Sequence, residues 1–169
     1  MSTPLIVISS RTGNTRAVGH AICDDLPGAR MINPDELPED LSEFNPVLLG
    51  FWCDKWDAPE EIKAVAKRLE NKQIGCFATL GGDPNDPKAK AWIAEVSQKL
   101  TDMGKNNTLI ETFLCQGRIS QEVFDRMTAL LGQVTPEREQ KLQASKTHPD
   151  RMDLSKAAEI FRSAFGMNF

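Results

Sequence analysis

Leu5-Ile6-Val7-Ile8 is an unbroken run of apolar, mostly β-branched residues, the pattern of a strand covered on both faces. Asn14 to Leu26 follows, with Val18, Ile22 and Leu26 at helical spacing. The alternation then repeats. Ala29 to Asn33 predicts a short strand, and a connection rich in proline and acid over Pro34 to Asn45, with room for one helical turn, leads to a buried strand at Val47 to Trp52. Pro59 stands near a helix start, with Ile62, Val65, Ala66 and Leu69 on one face and an end near Asn71. Gln73 to Thr79 reads as a strand, Leu80 to Asp86 as a loop of glycine and proline, Pro87 to Met103 as a helix, and Asn107 to Cys115 as a fifth strand. Gln116-Gly117-Arg118 turns the chain into a helix over Ser120 to Leu131, with Ser120 as its N-cap. Strands alternating with helices predict an α/β fold: a parallel sheet of about five strands with helices on both faces.

The remainder reads differently. Pro136 to Arg151 is charged and includes a break at His148-Pro149-Asp150, after which Asp153 is expected to cap a final helix with Leu154, Ala157, Ala158, Phe161 and Phe165 along one face. The pattern leaves open whether that helix packs on the same domain or meets a partner.

Composition narrows the function classes. At 169 residues, 40% hydrophobic and 26% charged, the chain fits one globular domain, and no apolar run approaches the ~20 residues a membrane helix needs. No basic segment precedes Leu5 to Ile8, and that run is too short for a signal peptide, so the expected location is the cytoplasm, without membrane insertion. A net charge of -4 argues against a general nucleic-acid binder. Cys23, Cys53, Cys76 and Cys115 lie far apart with no C-x-x-C spacing, which predicts buried thiols rather than a metal site or disulfide framework. Tyrosine is absent.

In an open parallel sheet, ligands bind beyond the carboxyl ends of the strands, and three of the loops there are unusual. The first, Ser9-Ser10-Arg11-Thr12-Gly13-Asn14-Thr15, carries more hydroxyls than a turn requires, at the head of a helix whose free amides can surround a phosphate. It lacks the lysine and spacing of a Walker loop, and it is not a G-x-G-x-x-G turn. The second, Trp52-Cys53-Asp54-Lys55-Trp56-Asp57, places two indoles on a polar loop; Trp56 is the better candidate for stacking on a flat ring, while Trp52 could end a buried strand. The third, Thr79-Leu80-Gly81-Gly82-Asp83-Pro84, has adjacent glycines that allow backbone to approach a planar ligand.

Ser10-Arg11-Thr12-Gly13-Asn14-Thr15 resembles the S/T-x-T-G-x-T phosphate loop of the flavodoxins, in the same place between first strand and first helix. The resemblance runs from Pro4 to about Leu131 and implies a flavodoxin-like three-layer sandwich forming a single domain over residues 1–169, with residues 132–169 as a helical extension. It implies FMN as cofactor. Its phosphate would be held by Ser10, Arg11, Thr12, Asn14 and Thr15 around Gly13, and its ring would lie between Trp52, Cys53, Asp54 and Trp56 on one side and Thr79, Leu80, Gly81, Gly82 and Asp83 on the other. Cys115 to Arg118 could border the pocket. Many flavodoxins cover the outer ring face with a tyrosine, which this chain cannot do. The acids Asp54, Asp57, Glu60, Glu61, Asp83 and Asp86, in or beside the ring loops, are expected to disfavour an anionic reduced flavin. The function implied is electron transfer between redox proteins, a reductase and an acceptor, with no catalytic dyad. The alternatives are an FMN-dependent reductase of a small organic acceptor such as a quinone, and a flavin-free interaction module.

Overall fold

Each apolar run finds its place beside another in the computed structural model, which describes residues 2–166. Met1 and residues 167–169, the ends of the expected single domain, lie outside the described residues. The order is β1 (Thr3–Ile8), α1 (Asn14–Asp25), β2 (Arg30–Ile32), a single 3-10 turn (Pro34–Glu36), β3 (Phe44–Trp52), α2 (Glu60–Ala66), β4 (Gln73–Leu80), α3 (Pro87–Met103), β5 (Thr108–Gln116), α4 (Gln121–Leu131), α5 (Pro136–Ser145) and α6 (Arg151–Phe165). All the strands pair in parallel, in the order β2-β1-β3-β4-β5. The chain leaves β1 toward one edge and returns to build outward toward the other. The loops after β1 and β3 therefore part at the centre of the sheet, the kind of crevice where α/β folds bind ligands.

Successive residues of a strand point to opposite faces, and β1 feeds two cores. Leu5 and Val7 join Leu49 and Phe51 under α2 and α3, where Ile62, Trp92, Ile93 and Val96 pack. Ile6 and Ile8 join Leu48 and Phe77 under α1 and α6, where Val18, Ile22, Ala157 and Phe161 pack. Burying one such Leu, Ile or Phe stabilises by about 1.5–3 kcal/mol, which gives the strands reason to sit between two layers. Gly75 makes room for the second core: a Cβ there would lie 2.9 Å from Phe161 and 3.0 Å from Phe165. The final helix of the residues 132–169 segment is thus a layer of the core, lying beside α1.

Several boundaries differ from expectation, and β3 begins at Phe44, inside the expected connection, rather than at Val47. The second helix stops at Ala66 rather than near Asn71, because the amides of Arg68 and Leu69 reach back only three residues, to Val65 and Ala66, and tighten its end. The last helix begins at Arg151: Asp150 is its N-cap, and Asp153 closes the reciprocal capping box instead of being the cap. The charged stretch after Pro136 forms α5, started by Pro136 in its first turn and by the Thr135 side chain, which accepts from the Arg138 amide at 3.2 Å. Among the described residues no helix is long and apolar enough to cross a membrane.

Candidate functional site

The loop after β1 ends in Gly13, whose φ of 91° lies in the left-handed region that glycine adopts without strain. That turn starts α1 abruptly. The first-turn amides of Asn14, Thr15 and Arg16 have no carbonyl one turn back to bond, and Gly13 has no side chain to cap them. No acid lies in the first turn either. The other helices are treated differently: α3 to α6 begin with a side-chain cap, and α2 carries Glu60 and Glu61 in its first turn. The head of α1 is left as a cluster of oriented N–H groups with a positive dipole end, suited to an anion. Around it, Ser10 Oγ accepts from the Gly13 amide at 3.2 Å, and Asn14 Nδ2 donates to Thr12 Oγ1 at 3.1 Å. Ser9 is turned away, its hydroxyl donating to Glu61 of α2.

This helix head opens into a cavity of about 370 Å³, within the usual size of a small-ligand site. Ser10, Arg11, Thr12, Asn14 and Thr15 line it from the first loop. Trp52 and Cys53 line it from the end of β3, and Thr79, Leu80 and Gly81 from the end of β4. The Thr15 and Thr79 hydroxyls lie 3.0 Å apart and tie the first and third loops together where both are buried. Arg11 lays its guanidinium over the Trp52 ring, 5.0 Å from the centroid. The Trp52 indole nitrogen is buried with no partner among the described residues.

Five expected residues, Gly13, Asp54, Trp56, Gly82 and Asp83, are outside the lining. For Trp56 the reason is the turn that carries it. Asp54 and Asp57 exchange backbone hydrogen bonds of 3.0 and 2.9 Å, and between them Lys55 and Trp56 both take positive φ, 52° and 61°. This turn sends the Trp56 ring to α3, edge-on to Trp92 at 6.3 Å with Lys88 Nζ 4.3 Å above its face. Asp83 accepts from the Asn85 amide within its own loop.

The wall not foreseen comes from beyond β5. Gly117, Arg118, Ile119 and Ser120 line the cavity, as do Glu122, Val123 and Arg126 of α4. The first two were suspected from their position on the same rim; nothing in the α4 sequence distinguishes a face turned to a cavity from one turned to a core. This wall brings cationic side chains to the cavity. The lining holds Arg11, Arg118 and Arg126 against Glu122, whereas Asp54, Asp57, Glu60, Glu61, Asp83 and Asp86 lie outside it. Asp57 is engaged elsewhere: partial burial pushes its carboxyl up, but bonds from Lys63 Nζ and the Ala58 amide outweigh this and hold it below the ordinary carboxylate range.

The four cysteines are free thiols and do not converge. Burial pushes Cys76 and Cys115 up to about 12 and raises Cys53 and Cys23 less. Iodoacetamide at pH 8 is therefore expected to label only the half-buried Cys23 and Cys53 in native protein, and all four after unfolding, as read by peptide mass spectrometry. The one metal-type trio among the described residues, His148, Asp150 and Asp153, is occupied with starting α6, His148 Nδ1 lying 2.7 Å from Asp153.

This architecture has relatives. A flavodoxin-like domain-containing protein, BilS, of Clostridioides difficile is 27% identical over 164 residues, 91% of each chain. Oxidised flavodoxin 2 from Bacillus cereus superposes with a TM-score of 0.61 at 16% identity, over 99% of this chain and all of that one. A Lactobacillus acidophilus flavoprotein solved in complex with FMN superposes at 0.52 with 13% identity, over 68% of this chain and 93% of that one. Residues 5–162 match the family model described as a flavodoxin domain. With that match running nearly the whole chain, and the five-stranded parallel sheet and its two helical layers in place, this protein belongs to the flavodoxin domain family.

Proposed function

We propose that the cavity at the head of α1 binds FMN and that the protein carries electrons between redox partners. One observation carries the reading: the N-terminus of α1, uncapped and free of acid, opens into a cavity bounded by the loops after β3 and β4. The donor set fits a phosphate monoester, with three orphan amides, the Ser10 and Thr12 hydroxyls and Arg11 close by. The remaining lining fits a flat heteroaromatic ring, with Trp52 and Leu80 as apolar surface and Gly81 as closely approaching backbone. The solved FMN complex of the Lactobacillus acidophilus flavoprotein, of the same fold, supports the assignment. Bound FMN would supply one- and two-electron redox chemistry, and the chain would supply grip, orientation and charge. With Arg126 paired to Glu122, Arg11 and Arg118 are the lining charges that favour added negative charge in the cavity.

Titration of flavin-free protein with FMN tests the reading. The expected result is one FMN per chain, weaker binding of riboflavin, which lacks the phosphate, and slower alkylation of Cys53 but not of Cys23. Protein that takes up no flavin would favour the interaction module. Turnover of NAD(P)H with a quinone by holoprotein alone would favour the small-molecule reductase over the carrier.

A further inference from the structure

The α4 wall has no part in the phosphate grip or the ring loops, yet it is built onto both. Glu122, Val123 and Arg126, spaced i, i+1, i+4 in the first two turns of α4, line the cavity, and Ile119, just before the N-cap Ser120, lines it beside them. Ile119 and Val123 form the wall's apolar centre, and Glu122 and Arg126 pair one turn apart beside them. Val123 is 43% exposed because the space in front of it is open.

The wall is held in position from three sides. Asn14, at the head of α1, donates to the Arg118 carbonyl at 2.9 Å. The buried Ser145 at the end of α5 accepts from the Ile119 amide at 3.0 Å, and the Arg118 side chain reaches the Lys146 carbonyl at 3.2 Å. Approach is close enough that a Cβ would force a neighbouring side chain to move: one on Gly117 would lie 2.7 Å from Asn14 Nδ2, and one on Gly81 would lie 2.8 Å from Ile119 Cγ1. Segment 117–119 thus interlocks the first loop, the third loop and α5. Meanwhile the aromatic residue expected to cover a ring, Trp56, faces α3, and the chain has no tyrosine.

Resting on the FMN reading, we propose that the segment from Ile119 into α4 is the cover of the flavin ring: Ile119 and Val123 pack on the ring, on a wall that hydrogen bonds with Asn14 and Ser145 tie to α1 and α5. Apolar side chains lining an open cavity leave water-exposed surface that a flat ring would cover.

The test compares wild type, the double variant Ile119→Ser/Val123→Ser, and Leu130→Ser, which alters an α4 residue 81% exposed and outside the lining. Affinity for FMN and for riboflavin, and quenching of bound-flavin fluorescence by iodide, are read together with thermal unfolding of the flavin-free protein. The double variant is expected to bind both flavins about 10- to 100-fold more weakly, with equal loss for each because the missing contact is to the ring, and to expose bound flavin to iodide. Leu130→Ser is expected to match wild type. Should the double variant fail to fold, the near-isosteric Val123→Thr reads the same loss on a smaller scale. Unchanged affinity and unchanged iodide access would overturn the cover while leaving FMN binding intact. Wild type that binds no FMN would overturn the functional reading itself, and the cover with it.

Discussion

Phe161→Ala will lower the free energy of unfolding by about 3–5 kcal/mol, the range for an aromatic side chain deleted from a rigid core. Phe161 is fully buried, meets Phe77 edge-on at 6.0 Å and stacks on Phe165 at 6.2 Å. It rests against Gly75, and a sheet cannot collapse into the space it vacates. Urea unfolding of the flavin-free protein measures the loss directly. A change below ~1 kcal/mol would mean that α6 is not docked as described, and that the face of the sheet above Ile6 and Leu48 has another cover.

The second large effect concerns affinity rather than stability. Thr12→Asp places a carboxylate on an exposed loop residue beside the α1 amides, where its Oδ can keep the bond from Asn14. A negative charge ~5 Å from a phosphate dianion costs about 2–4 kcal/mol at the dielectric of a wet surface, or ~30- to 1000-fold in Kd. FMN binding is expected to fall by that factor, riboflavin binding to change little, and melting of the flavin-free protein to stay nearly constant. Equal losses for the two flavins would place the phosphate elsewhere. The pattern is the converse of the one expected for the α4 double variant, so the two substitutions together separate the anionic end of the ligand from its ring.

Much of this fold was legible because its strands are short, continuous apolar runs and its longer helices carry one apolar face. Pro87–Met103 was readable to the residue, with Pro87 in the first turn and Asp86 before it. The failures share a cause: they sit where the apolar period says little. In α5 only Leu142 and Ser145 are buried, so a helix there leaves hardly any stripe to read. At α6, two aspartates three residues apart satisfy each other, and sequence alone does not say which is outside the helix. The first loop stood out in the sequence by its surplus of hydroxyls, and the structure brings Ser10, Arg11, Thr12, Asn14 and Thr15 to the cavity. The direction of Trp56 was not legible, because it depends on two consecutive left-handed residues that side-chain type does not foretell. The α4 wall escaped for a related reason, since Ile119 and Val123 would suit a core equally well.

The pairing of α1 with α6 sets the order in which the molecule can be completed. Residues 14–25 emerge from the ribosome some 130 positions before the helix that lies beside them. The layer of α2 and α3 can close as soon as β4 and α3 have been made, but on the opposite side α1 alone packs early, and the part around Phe77 that Phe161 covers stays bare through most of synthesis. Nascent chains of this kind are sticky toward one another at that bare part, and toward chaperones that recognise apolar surface.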